Sequence, residues 1–319
     1  MLYGLNYCII VYIIEKIPYF CVINILIIMS KYILYTYQFS PLQKREENNI
    51  FDENKKVLTQ DELMEQKQDI FGAFFLETFT PLFKKQNKKF DHKIILNENN
   101  VIVFRLANNK KLYLEESFHK QEYKYSPSCL IIIDNRKDVQ RIAIEEDKVA
   151  FSDTNTVKQI LLFSFKRYLN SKGLDITIQR DYEKVEFWNI VHAYKQKIEM
   201  VRFHFSYPNL PNVNKSIKQV IAATNKATNS KQSSFELKAA DGEYLEINEE
   251  NQEIADMAAY SAECGDVITI KAKGIRAYLK TGKTTKGFEC DNLEASLSGN
   301  LFESGLETLI EKLNKFLRK

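Results

Sequence analysis

The chain has 319 residues, a formal net charge of +3 and a hydrophobic content of 45%. That length accommodates about two domains of ordinary size, and the even charge excludes a uniformly basic nucleic-acid binder, so any contact with a polyanion has to come from local clustering. The five cysteines, Cys8, Cys21, Cys129, Cys264 and Cys290, are odd in number and form no C-x-x-C pair. This excludes a zinc ribbon and a disulfide framework and fits a reducing cytoplasm.

Residues 1–28 are almost wholly apolar apart from Glu15 and Lys16. The apolar runs on either side of that pair are shorter than the ~20 residues a membrane span needs. A signal peptide would begin with positive charge and close on small residues, and neither is present. The reading is an N-terminal extension outside the working protein, with the first domain starting at Met29. A membrane anchor is the rival, opposed by Pro18, Asn24 and the Glu15-Lys16 pair.

Lys31 to Phe39 alternates aromatic and polar residues and reads as an edge strand opening a domain. Thr59 to Glu62 can start a short helix. Phe71, Phe74, Phe75, Leu76, Phe79, Leu82 and Phe83 form an aromatic stripe that reads as core. From Lys93 to Glu115, apolar runs around Asn97–Asn100 and Asn108–Lys110 predict an antiparallel meander. Ser128–Asp134 is a continuous apolar run, the mark of a strand buried on both faces. A polar turn at 135–138 returns the chain as a second strand over 139–145. Ser152 or Asp153 then caps a helix over 154–172. Its apolar face is Val157, Ile160, Leu161, Phe163, Phe165, Tyr168 and Leu169, with Leu162 or Phe163 against the sheet, and Gly173 ends it.

A strand at 174–179, a helix at 183–194 and an alternating strand at 198–206 follow. Pro208 and Pro211 mark the best boundary, giving an N-terminal domain at 29–207 and a C-terminal domain at 208–319. The second part reads as a polar helix from 213 to 227, a strand at 235–240, and a helix at 249–264 with an acidic outer face. Strands at 267–273 and 275–280 then pair around Gly274, and an amphipathic helix occupies 303–317. Strands and helices without regular β-α-β alternation predict α+β. The expected architecture is a mostly antiparallel sheet centred on 128–145 with packed helices, followed by a smaller α+β part.

Catalytic motifs are few. None of His92, His119, His192 and His204 stands at a metal-ligand spacing, so no metal and no cofactor are expected. Thr281-Gly282-Lys283-Thr284 resembles the end of a phosphate-binding P-loop, but Ala277 occupies the position of the motif's first glycine, so that reading fails. Asp134 at a strand end, followed by Glu146-Asp147-Lys148 after the next strand, has the order used by Mg²⁺-dependent nucleases. There, carboxylates hold the ion and a lysine activates water. A solvated hairpin end explains the same residues. Lys271, Lys273, Arg276, Lys280, Lys283 and Lys286 form an acid-free basic stretch with Tyr278 interleaved. Such a ribbon can neutralise phosphates with little regard to sequence, although lysines also protect edge strands from aggregation.

The blocks Ser128–Ile133 with the following helix, and Ser234–Leu245 with the helix after it, are similar in layout to the RexA phage-exclusion family. The resemblance spans most of 30–270 and carries no motif sharp enough to transfer individual residues. It implies a cytoplasmic, homodimeric, non-enzymatic DNA-binding protein acting in antiviral defence, alongside other defence proteins. The expected function is therefore sequence-nonspecific binding of double-stranded DNA through the 271–286 cations. The alternatives are a nuclease using Asp134, Glu146 and Lys148, or a protein-interaction component that touches no nucleic acid.

Overall fold

In the computed structural model, the described residues are 29–42, 58–77, 82–116, 118–206, 215–228, 230–291 and 293, with single positions at 307, 310, 311, 314 and 315. The apolar extension 1–28, Phe79, Pro208, Pro211 and most of the helix read at 303–317 lie outside them.

The fold is α+β. Its larger part is an antiparallel sheet built from β1 (Met29–Pro41), β2 (Phe83–Lys85), β3 (Lys88–Glu98), β4 (Val101–Ala107), β7 (Ser128–Asp134), β8 (Arg141–Glu145), β9 (Leu174–Arg180) and β14 (Gly287–Asp291). The order is β14-β1-β8-β7-β4-β3-β2, with β9 also paired to β1. β1 is therefore interior, not the edge strand its alternation suggested. β8 pairs along one side of it, and β14 and β9 share the other in tandem. Leu34 sits at their junction: its amide donates to the Lys286 carbonyl and its carbonyl accepts from the Asp181 amide. The polar positions Thr36, Gln38 and Ser40, which imitate a wet face, are buried.

Two apolar layers cover this sheet. On one face Tyr35, Tyr37 and Phe39 join Ile131, Ile133, Ile142 and Ile144. They pack against α1 (Gln60–Glu65), α2 (Lys67–Ala73) and the long α3 (Thr154–Ser171). Phe71, Phe74, Phe75, Phe83 and Phe165 interlock there, mostly edge to face, with Phe71 and Phe165 4.9 Å apart between ring centroids. On the other face Tyr32, Leu34, Val103, Leu130 and Ile132 meet Phe288, Cys290 and Ile310. Of the described residues in the aromatic stripe, Phe71, Phe74, Phe75, Leu82 and Phe83 are core and Leu76 is exposed.

α3 starts where Asp153 accepts a hydrogen bond from the Thr156 amide at 2.6 Å, and Gly173, at φ +85°, turns the chain into β9. Its buried face is Val157, Ile160, Leu161, Phe165, Tyr168 and Leu169. Phe163 is 41% exposed, and Leu162 is only partly buried. The 160/161/164/165/168 spacing sets the stripe, and 163 falls beyond its edge.

The chain leaves the large sheet twice. Among the described residues, β5 (Lys110–Glu116) and β6 (His119–Tyr125) pair only with each other, as a ribbon that exposes Leu112, Tyr113, Leu114, Phe118 and Tyr123. The second departure forms a four-stranded antiparallel sheet ordered β11-β10-β12-β13. Its strands are β10 (Ile198–Ser206), β11 (Gln232–Lys238), β12 (Thr269–Ala272) and β13 (Leu279–Lys280). Its helices are α4 (Val185–Ala193), α5 (Lys215–Thr228) and α6 (Gln252–Glu263). β10, which precedes residue 208, thus belongs to the smaller sheet, and β14, from the end of the chain, belongs to the larger one.

Polar groups join the two sheets. Asp266 accepts from the Ser206 amide at 2.6 Å, the Ser206 hydroxyl at 2.7 Å and Gln179 Nε2 at 2.8 Å. Arg141 pairs with Asp181 at 3.3 Å and donates to the Glu263 carbonyl at 3.0 Å. Among the described residues, no helix is long and apolar enough to cross a membrane.

Candidate nucleic-acid interface

One face of the smaller sheet carries Val201, Phe203, Phe205 and Ile270, which pack against α4 and α6. Period-two geometry puts the intervening residues on the other face. The strand registers line them up: Glu236 lies opposite Arg202, Arg202 opposite Thr269, and Thr269 opposite Lys280. A second row runs Lys238, Met200, Lys271. His204 shares this face, and burial, then the charges of Arg202 and Lys280, push its imidazole below the usual histidine range. Glu236 is the acid that these registers place on the face, and it is bound to Arg202, 2.6 Å from Nε.

The predicted cations divide into three groups. Lys273, Arg276, Lys280 and Lys283 are exposed. Lys271 is committed to its own loop. Its ammonium donates to the carbonyls of Ile275 and Arg276 and lies 5.7 Å from the centroid of the Tyr278 ring. The pair of long strands expected around Gly274 is thus only the short β12 and β13 joined by a broad loop, with Lys271 bridging its inside. Lys286 stands apart at the junction of the sheets, half-buried, where burial lowers its pKa against the pull of Asp181. The acid-free stretch contributes fewer phosphate ligands than its length implies, because two of its lysines serve the fold.

Other cations come from elements the sequence kept separate. Arg202 and Lys238 arrive on β10 and β11, and the Lys273 amide donates to the Lys197 carbonyl at 2.7 Å, bringing exposed Lys197 beside the loop. Their signal was present only as polar positions in alternating strands, and register alone gathers them.

The Thr281–Thr284 segment does bind an anion, though not a nucleotide. The amides of Gly282, Lys283 and Thr284 and the Thr284 hydroxyl converge on the Glu186 carboxylate at 3.0, 3.0, 3.3 and 2.8 Å. Gly282 at φ +89° makes the convergence possible, forming a backbone nest. Glu186, in the first turn of α4, fills it and ties the basic loop to that helix.

The nuclease arrangement is corrected by the register of β7 and β8. Asp134 lies opposite Arg141, at the turn end of the hairpin, whereas Glu146 follows the far end of β8. About four strand residues separate them, roughly 15 Å, so the two carboxylates cannot share an ion. Asp134 is fully buried and held by Arg136 at 2.9 Å from Nε and 2.6 Å from Nη2. Glu146 faces Lys31 at 3.4 Å, and Lys148 lies exposed in the turn beyond. Among the described residues, no cluster of three or more His, Cys, Asp and Glu side chains is placed to hold a metal ion.

A cavity of about 450 Å³ opens between β10, β11, α5 and α6, lined mainly by Phe205, Val220, Ile221, Phe235 and Met257. It lies on the helix-covered side of the sheet, away from the cations. Compared with known proteins, the chain matches no family model and no curated protein.

Proposed function

We propose that this protein binds double-stranded DNA without sequence preference, through the outer face of its smaller sheet and the loop between β12 and β13. The observation that carries this reading is the cross-strand collection of Arg202, Lys238 and Lys280 on one face, extended by Lys197, Lys273, Arg276 and Lys283, with Glu236 as the counter-charge there. Neighbouring strands are about 4.8 Å apart, so a four-strand face spans roughly 14 Å, enough to meet several phosphates of a duplex. Lysines and two arginines without a fixed array of amide side chains suit backbone contact, not base readout. A reducing cytoplasm accords with the buried thiols of Cys129, Cys264 and Cys290.

The test is an anisotropy titration of the full chain on two unrelated duplexes. For about five phosphate contacts, affinity should fall on the order of 10²–10³ between 50 and 200 mM salt. Reversal of the exposed Lys238, Lys273 and Lys280 to glutamate should weaken both duplexes equally and leave the circular dichroism unchanged. Failure of the wild type to bind at low salt ends this reading. In that event the protein-interaction alternative takes its place, favoured by the exposed apolar ribbon β5–β6, whose Phe118 is 96% exposed.

A further inference from the structure

Cations that enter the folded body usually bring an acid with them. Arg141 has Asp181 and Arg136 has Asp134. Lys158 and Arg180 break this pattern. Both are half-buried and close enough that the charge of Arg180, after burial itself, lowers the basicity of Lys158. Neither forms an ion pair among the described residues, and Lys158 has no hydrogen-bond partner among them.

The fold puts them together. The turn at 172–173 reverses the chain, so the first turns of α3 lie beside the end of β9. Thr154 and Lys158 are four apart and share a helix face. The Thr154 hydroxyl is 2.8 Å from the Tyr35 hydroxyl, which in turn lies 3.2 Å from Arg180 Nη2. The guanidinium carbon stands 5.6 Å from the centroid of the Tyr35 ring. Tyr35 and Thr154 are both buried, so this chain of hydroxyls is fixed.

We infer that Lys158 and Arg180, oriented by Tyr35 and Thr154, form a binding site for a phosphate group, either free phosphate or the phosphoryl end of a small phosphomonoester. Two like charges held half out of water repel each other and lose hydration, and an anion between them relieves both costs. The guanidinium fork matches two oxygens of a phosphate, and the ammonium supplies a point charge to a third. The buried Tyr35 ring leaves no face on which a base could stack, so recognition is confined to the phosphate, and the rest of a ligand projects outward. None of the residues of the basic sheet face takes part, and the site stands whether or not DNA binds there.

Calorimetric titration of the full chain with inorganic phosphate, glycerol 3-phosphate and acetate tests the proposal, with thermal unfolding measured in parallel. Saturable phosphate binding is expected, weakened at least about tenfold by Lys158→Met and by Arg180→Met, with Arg180→Lys between them and the wild type. Without phosphate, Lys158→Met should unfold at a higher temperature than the wild type, because it keeps the aliphatic stem and removes the repelled charge. Phosphate should then no longer stabilise it. Tighter binding of glycerol 3-phosphate assigns the site to phosphomonoesters, and weaker binding to free phosphate. The proposal is overturned if no saturation occurs by about 10 mM phosphate, if acetate binds equally well, or if Lys158→Met lowers the unfolding temperature while phosphate binding survives.

Discussion

The two sheets of this protein bury their surfaces differently. The larger one is covered on both faces, by aromatic rings and α3 on one side and by a second apolar cluster on the other. The smaller one is covered on one face and presents cations on the other. A strand in the first makes its contribution through shape, and a strand in the second through the charge it leaves outside. Sequence change should therefore damage stability in the first and recognition in the second.

The largest effect expected is in the aromatic layer. Phe165 is fully buried and meets Phe71, Phe74, Phe75 and Phe83. Phe165→Ala should cost about 3–5 kcal/mol in denaturant unfolding. Its neighbour Phe163 is exposed, and Phe163→Ala should cost well under ~1 kcal/mol. Equal losses at the two positions would mean that the helix presents a different face to the sheet.

A smaller effect should arise where the basic loop meets α4. Glu186→Ala leaves the Gly282, Lys283 and Thr284 amides without their acceptor. A loss of ~1–3 kcal/mol is expected, accompanied by faster amide exchange at 282–284. Unchanged exchange there would show that the loop holds its form without the nest, and the contrast between a supported loop and a merely exposed one would fail.

The smallest effect is titratable and lies between the sheets. Burial lifts the Asp266 carboxyl to about 6, against the donors from Ser206 and Gln179, from an ordinary value of 3.8. The folded protein then takes up a proton at a pH where the unfolded chain does not. This contribution to stability is complete below about 4 and is lost as pH rises through 6. Wild-type stability relative to Asp266→Asn should rise by roughly 1–2 kcal/mol between pH 7 and pH 5. A difference that is flat with pH would show that the carboxylate is as well accommodated charged as neutral.

The parts legible in the sequence are those where one residue type dominates a local run. Ile131–Ile133 declared a doubly buried strand, and Asp153 and Gly173 bracketed α3. The parts that were not legible depend on what a residue faces across the fold. Thr36 and Gln38 looked solvent-facing because nothing local shows that the turn after α6, at Cys264 and Gly265, reaches them. Asp134 and Glu146 looked adjacent because their sequence spacing is short, although a hairpin carries its two ends apart. Lys271 and Lys286 read as free cations, and only the folded loop reveals the carbonyls beside the first, as only the junction of the sheets reveals the carboxylate beside the second. Arg202, Lys238 and Lys280 are far apart in sequence and meet through register alone.

The position of β1 also bears on how the chain is made. It is made before all of its partners, which come from residues 141–145, 174–180 and 287–291. Each pairing closes a long loop, and such long-range topologies fold slowly. Until β14 is synthesised, the side of β1 at Met29–Ile33 remains an open edge able to recruit another chain. A nascent chain stalled before residue 287 would carry its large sheet with that edge unpaired, and synthesis of 287–291 is what lets the sheet close there.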